Sequence, residues 1–420
     1  MSYNWEDDED LTQKIERLLG EYIVKKEKIP SLNWSPQQQQ ALTAIQKWLV
    51  CPNGKQVFKL FGYAGTGKTT LARYIADNYP VAFGAYTGKA ASVMRKCGCN
   101  NATTIDRLIY TPRIEVSCIK IECEEPCQDL CEFKREKHVG RVLNTFDSIV
   151  NIVKLVIIDE CSMVNFEMAQ DLLSFRKLIL VLGDPGQLPP IEGGGYFTDD
   201  EPDILLTEIH RQAENSPVIK LATQVREGNT LVYGRYGDSL VTSQRSISYE
   251  EAAEYDQILC GTHNTRCRVN NKIRQIKGYT GPLPLVGEKL VALKNIHSKR
   301  IYNGTIWTVM KIEKEPTNGF IKMMVLEDDV IDEHLVEVES PVEGFLISHG
   351  KGAELPGIPF TFSYALTVHK SQGSQWDSVC VIDDSSRFAW MARKTGVEFD
   401  KARWLYTAIT RAANRVAVAK

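Results

Sequence analysis

From Trp34 onward, short and wholly apolar runs alternate with longer amphipathic ones. Val57–Phe61, Val81–Ala85, Leu155–Ile158 and Leu178–Leu182 are too short and too continuously apolar for surface helices, and they predict buried strands. Helical spacing fills the segments 67–78, 88–97 and 164–175. Buried strands alternating with helices build parallel sheets, because a crossover helix must carry the chain back to the same edge. A second such region starts near residue 214, with strand Gln257–Cys260 and a basic helix over 264–277. It resumes in Phe360–Leu366, Val379–Ile382 and Arg415–Ala419.

Three segments depart from this rhythm. Leu11, Ile15, Leu18, Leu19, Tyr22 and Ile23 predict an amphipathic helix over 11–28, ended by Pro30. Ile114, Val116, Ile119 and Ile121 alternate with charges within 108–151, which predicts an inserted hairpin. Lys289–Leu293, Thr305–Ile312, Phe320–Leu326 and His334–Val338, separated by Gly, Pro and Asn, predict a small antiparallel barrel over 286–359. The expected division is an N-terminal acidic segment and helix, 1–33; a first α/β core, 34–107 and 152–213; an inserted subdomain, 108–151; a second α/β core, 214–285 and 360–420; and the β-insert, 286–359.

Composition narrows this little. The 420 residues are 43% hydrophobic and 25% charged, with no apolar run long enough to span a membrane. The chain opens on the acidic run Asp7, Asp8, Glu9 and Asp10, the opposite of a secretory or transit leader, so a cytoplasmic protein is expected. A net charge of −3 leaves room for a local basic groove but announces none. Without a secretion signal the 11 cysteines read as mostly reduced thiols. Cys118, Cys123, Cys127 and Cys131, with His138 nearby, have two readings: ligands of a structural zinc ion or iron–sulfur cluster, or free thiols.

Chemistry enters at Gly62-Tyr63-Ala64-Gly65-Thr66-Gly67-Lys68-Thr69, which fits the phosphate loop G-x-x-x-x-G-K-[ST] between a strand and a helix. Gly62, Gly65, Thr66 and Gly67 let backbone N–H groups curl around phosphates at a helix N-terminus, with Thr70 beside them. Lys68 would bridge the β- and γ-phosphates of ATP, and Thr69 would ligate Mg²⁺. Val156-Ile157-Ile158-Asp159-Glu160 supplies the second requirement: Asp159 for the metal and Glu160 to polarise the attacking water.

The rest of the series resembles the motifs of superfamily 1 helicases, in the RecD-like and phage Dda-like 5′-to-3′ branch. Ser35-Pro36-Gln37-Gln38 is similar to the adenine-reading motif, with Gln38 as its glutamine. Thr87-Gly88-Lys89-Ala90-Ala91 and Thr103-Thr104-Ile105 match two motifs that lie on the DNA strand in the family. Asp159-Glu160-Cys161-Ser162-Met163 matches the metal motif, and Gly183-Asp184-Pro185-Gly186-Gln187-Leu188-Pro189 the coupling motif, whose Gln187 would sense the γ-phosphate. Leu206-Thr207-Glu208-Ile209-His210-Arg211-Gln212 carries one arginine of the second lobe. The stretch Tyr364–Gly373, with Gly373 expected at the nucleotide, and the stretch Leu405–Ala412, with Arg411, close the series. Tyr86 replaces the usual proline and Asp106 a frequent histidine.

The resemblance implies two RecA-like cores with Mg-ATP between them. Arg211 and Arg411 would then complete the charge stabilisation only on closure, as arginine fingers do. It further implies that Thr87, Lys89, Thr104, Thr367 and His369 hold single-stranded DNA, that residues 108–151 form a duplex-parting pin, and that 286–359 form a Src-homology-like barrel. The basic helix with Arg266, Arg268, Lys272, Arg274 and Lys277 either joins the strand or is a solvated face. The expected partners are single-stranded and forked duplex DNA, with single-strand-binding, replication or recombination proteins as further candidates, for a monomer that binds no membrane. An RNA helicase on the same chassis and an ATP-switched nucleic-acid clamp or remodelling protein stay open as alternatives.

Overall fold

The computed structural model describes residues 34–118, 134–145, 147–189, 195–198, 200–209, 215–296, 299–328, 335–346, 355–387, 389–390 and 399–420. The predicted helix 11–28 lies outside them, as do His210, Arg211, Cys123, Cys127 and Cys131.

The first lobe is a six-stranded parallel sheet. Its strands are β1 (Val57–Gly62), β2 (Val81–Ala85), β3 (Thr103–Thr104), β6 (Leu155–Asp159), β7 (Leu178–Gly183) and β8 (Ile204–Leu206), in spatial order β3-β2-β6-β7-β1-β8. Helices α1 (Pro36–Val50), α2 (Lys68–Ala76), α3 (Gly88–Lys96), α4 (Ile105–Ile109) and α5 (Phe166–Ser174) accompany it. Two apolar clusters form its core, one around Leu60, Leu71 and Ile157, the other around Ile105, Ile158 and Val181. The parallel order has a chemical consequence: β6, β7 and β1 lie side by side, so Asp159, Gly183 and Gly62 end at one edge. Ligand sites in open parallel sheets form outside such carboxyl ends.

Between β3 and β6 the hairpin β4 (Tyr110–Cys118) and β5 (Lys134–Leu143) projects as a separate two-stranded antiparallel ribbon. Its base is anchored: Arg141 pairs with Asp106 and stacks on the Tyr110 ring at 4.0 Å, and the Tyr110 hydroxyl donates to Asp171 at 2.5 Å.

The second lobe has six strands in the order β17-β11-β18-β19-β10-β9. They are β9 (Gly234–Tyr236), β10 (Ser239–Thr242), β11 (Gln257–Cys260), β17 (Ala365–Thr367), β18 (Trp376–Ile382) and β19 (Ala412–Ala419), parallel except for the β9–β10 pair. Helices α6 (Pro217–Arg226), α7 (His263–Ile276) and α8 (Lys401–Ile409) flank it. Both lobes are α/β units built on a largely parallel sheet.

The segment expected as a barrel is a five-stranded antiparallel sheet, order β15-β14-β13-β12-β16. It comprises β12 (Lys289–Ala292), β13 (Ile306–Thr317), β14 (Phe320–Glu327), β15 (Leu335–Pro341) and β16 (Phe360–Phe362) around a core with Trp307 and Phe360. Among the described residues no ladder joins the edge strands, although the Ile358 N–H reaches the Glu339 carbonyl at 3.3 Å and the Phe360 N–H the Ser340 hydroxyl at 3.3 Å. The expected single strand Phe360–Leu366 is in fact two: residues 360–362 pair with β12, and 365–367 with β11. Apolar character alone does not reveal that the chain changes sheets at Ser363 and Tyr364.

Candidate nucleotide site and inter-lobe cleft

The phosphate loop owes its shape to crowding as well as to φ. Gly65 and Gly67 have φ of 79° and 85°, conformations that a side chain would strain. A Cβ on Gly62 would lie 2.7 Å from Thr66 Oγ1 and 2.8 Å from Leu206 Cβ. Gln38 closes the loop from outside. Ser35 and Gln38 form a reciprocal capping box at the start of α1, and Gln38 Nε2 then donates to the Thr66 carbonyl at 2.9 Å. Thr66 and Gln38 are fully buried, while Thr70 is exposed. Neighbouring Gln37 binds elsewhere, accepting from the N–H groups of Thr207 and Glu208.

Lys68 Nζ donates to the carbonyls of Gly62 at 2.5 Å and Tyr63 at 3.1 Å, filling the curl where phosphate oxygens would sit. Asp159 closes β6, and the next residue, Glu160, has a left-handed φ of 52°, a strained state of the kind that collects at functional sites. Burial, and then the Glu160 charge, push the Asp159 carboxyl up to about 6, against the pull of Lys68 and Arg411. Two crowded, half-buried carboxylates at the end of β6, in a chain whose phosphate loop carries Thr69, fit a hard divalent cation, which would relieve their repulsion. Mg²⁺ held by Thr69 and Asp159 would neutralise phosphate charge.

The loop after β7 supplies the third side of the site. Asp184 accepts from the Gly186 N–H at 2.9 Å and lies 3.4 Å from Gln187 Nε2. Gln187 Oε1 is buried with no hydrogen-bond partner among the described residues, an acceptor left over for a group not belonging to the chain.

From the second lobe, Arg411 reaches this edge. It stands in the turn between α8 and β19, with its side chain 5% exposed, and its guanidinium lies 3.5 Å from Glu160 Oε1. The carbonyls of Ser374 at 3.1 Å and Thr407 at 3.2 Å aim it. Residues 63 and 64 of the phosphate loop also pack into the second lobe's core, and the Arg226 guanidinium covers the Tyr63 ring at 3.8 Å. Lys68, Asp159, Glu160, Gln187 and Arg411 therefore converge.

The Gly373 carbonyl accepts from Thr87 Oγ1 at 3.0 Å across the lobes, and at its φ of 71° a Cβ would lie 2.9 Å from that oxygen. Thr87 and Thr104 cap α3 and α4 through their hydroxyls. Lys89 Nζ sits 4.7 Å from the centre of the Trp376 ring. Thr367 is buried at the end of β17, and burial pushes the His369 imidazole below its ordinary value. Two members of the basic helix are buried rather than solvated. Arg274 is paired with Glu288 at 2.7 Å, and Arg266 has an Nε without a partner.

A cleft of about 660 Å³ that the sequence did not announce lies where α3, α7 and the third sheet meet the second lobe. Lys89, Lys96, Lys277 and Lys289 line it, balanced by Glu254, Asp256, Asp328 and Asp377. Among the described residues no helix is long and apolar enough to cross a membrane, and no His, Cys, Asp and Glu cluster suits a metal ion.

Comparison with known proteins covers both lobes. Residues 33–240 match the family described as an AAA domain, and residues 362–419 match the UvrD-like helicase C-terminal domain. An ATP-dependent RecD2 DNA helicase of Deinococcus radiodurans is 25% identical over 398 residues, spanning 86% of this chain and 46% of that protein. The chain thus spans about half the length of that relative. The RecBCD enzyme subunit RecD of Mycolicibacterium smegmatis is 24% identical over 422 residues, 86% of this chain and 67% of that one. Among solved structures, Bacteroides Pif1 bound to single-stranded DNA aligns over 92% of each chain at 19% identity, with a TM-score of 0.49. The AAA-domain match contains Lys68, Asp159, Glu160 and Gln187, and the helicase C-terminal match contains Arg411, so the converging residues lie in segments similar to those of the RecD-like superfamily 1 helicases.

Proposed function

We propose that the protein is an ATP-dependent DNA helicase that moves 5′ to 3′ on single strands and unwinds forked duplex. The observation that carries this is Arg411 of one lobe held 3.5 Å from Glu160 of the other. An arginine supplied across a cleft links hydrolysis to closure, and repeated closure and opening is what moves a two-lobed protein along a strand. Glu160 would polarise the attacking water, Gln187 Oε1 would accept from it, and Lys68 with Arg411 would take up charge developing on the transferred phosphoryl group. Mg²⁺ held by Thr69 and Asp159 would share that charge. Arg211 is proposed as a second cation at the transferred phosphoryl group, and Gln38 as the adenine reader.

Single-stranded DNA would run past Thr87, Lys89, Thr104, Thr367 and His369, with the β4–β5 hairpin as the pin that parts the duplex. Direction is a property of the related family, and the decisive assay compares forks carrying a 5′ or a 3′ tail. Unwinding confined to 3′ tails would refute the polarity. Hydrolysis stimulated by the strand without separation would favour an ATP-switched clamp, and preference for RNA forks an RNA helicase. A zinc ion or iron–sulfur cluster on Cys118, Cys123, Cys127 and Cys131 would stiffen the far end of the hairpin, and metal analysis of the purified protein reads it directly. We further propose a cytoplasmic monomer working with single-strand-binding or replication proteins, tested by its sedimentation and by pull-down.

A further inference from the structure

Tyr406 lies on α8 of the second lobe, 2% exposed, and is absent from every role assigned above. Its oxygen accepts the backbone N–H of Ala64, in the phosphate loop, at 2.8 Å. A phenol has one proton, so with that N–H aimed at its oxygen the proton goes to its other neighbour. That neighbour is Asp184 Oδ2, at 2.8 Å. Asp184 in turn holds the Gly186 N–H and faces the amide nitrogen of Gln187. The carboxylate can only accept, so it takes the nitrogen end of the Gln187 amide and leaves Oε1 free.

The geometry points to Tyr406 as a positioning residue: its hydroxyl joins the phosphate loop to Asp184 when the lobes close, and so sets the orientation in which Gln187 meets the γ-phosphate and its water. The inference rests on the reading that ATP is split between the lobes. Three features indicate more than packing. The ring leaves no room for a side chain at position 186, where a Cβ would lie 2.9 Å from Tyr406 Cε1. The same helix and its lobe hold the next turn of the coupling loop, since Thr407 Oγ1 accepts from the Leu188 N–H at 2.8 Å and Gln372 Nε2 donates to the Leu188 carbonyl at 2.6 Å. Burial and the Asp184 charge keep the phenol protonated, so it acts as a donor at any working pH. Separating the lobes would withdraw all three side chains from the loop together, leaving the Gln187 amide without its fixed support. Hydrolysis would thereby be suppressed in the open state by geometry as well as by the absence of Arg411.

The test uses the full chain with Tyr406→Phe, which removes the hydroxyl and keeps the ring. Steady-state hydrolysis is measured against Mg-ATP with a saturating deoxythymidine oligonucleotide. The expected result is a kcat lower by about fivefold or more with KM for ATP changed less than about threefold, the pattern of an interaction that matters in the transition state rather than in binding. A smaller fall in kcat, or a loss confined to KM, overturns the assignment. Asp184→Ala and the double variant supply the second measurement. If the two residues act through one string, the double variant is no slower than the slower single one, and losses that multiply overturn it. Wild-type hydrolysis that the oligonucleotide does not stimulate counts against the motor reading instead, and the same kcat comparison is then made on unstimulated hydrolysis.

Discussion

Replacing Arg411 by alanine removes the one described cation that the second lobe places on the catalytic carboxylates. Its side chain is 5% exposed and that of Glu160 22%, so water screens the pair weakly. A guanidinium at a comparable distance from the charge developing on the transferred phosphoryl group is worth about 5 kcal/mol at an effective dielectric near 20, which corresponds to between three and four decades in rate. That agrees with the roughly 10³–10⁵ assigned to arginine fingers. Binding of ATP depends chiefly on the first lobe, through the phosphate loop, Lys68 and Thr69, so affinity should change little. The assay pairs single-turnover hydrolysis, at saturating oligonucleotide, with equilibrium binding of a fluorescent ATP analogue. Arg411→Lys supplies the control, because it keeps the charge but loses the fork that the Ser374 and Thr407 carbonyls aim. A folded Arg411→Ala protein that hydrolyses ATP within about tenfold of wild type would show that the guanidinium is only a structural ion pair, against the decades expected of a finger.

Lys68→Ala should abolish measurable hydrolysis while oligonucleotide binding, read by fluorescence anisotropy, persists; residual turnover above about a hundredth of wild type would count against the phosphate-bridging role. Asp159 gives a pH signature. Its carboxyl, raised to about 6, is protonated below that pH and then cannot hold a cation, so kcat/KM should fall as pH drops through about 6. Higher Mg²⁺ should move that limb to lower pH, and a limb insensitive to Mg²⁺ would assign it to another group. Because the folded value lies above the unfolded one, the nucleotide-free protein should also lose stability as pH rises through this window, measurable by urea titration. Glu288→Ala should destabilise by about 3–5 kcal/mol, since it strands a buried Arg274. That arginine is now held by both carboxylate oxygens at 2.7 and 2.8 Å. A loss below about 1 kcal/mol in the same titration would mean that the pair is dispensable.

Much of both lobes was legible because the signals are local. Val81–Ala85 and Gln257–Cys260 are strands with the bounds read from their apolar runs, and the phosphate loop lies where a strand meets a helix. Patterning failed where burial and chemistry diverge. Arg266 and Arg274 look like a solvated face in a charge-rich helix, yet the fold buries them. The pair β9–β10 and the edge strand β8 are three or four residues long, too short for any period to register.

The sequence by itself determined the chemistry: a phosphate loop needs its glycines and lysine in fixed order, and adjacent carboxylates after an apolar strand are a local pattern. Tertiary structure alone decided which groups meet. The parallel strand order sets Asp159, the coupling loop and the phosphate loop at one edge, and lobe packing brings Arg411 and Tyr406 there from more than 200 residues away along the chain. Spacing along a chain carries no trace of such contacts, because they depend on how two separately folded surfaces fit.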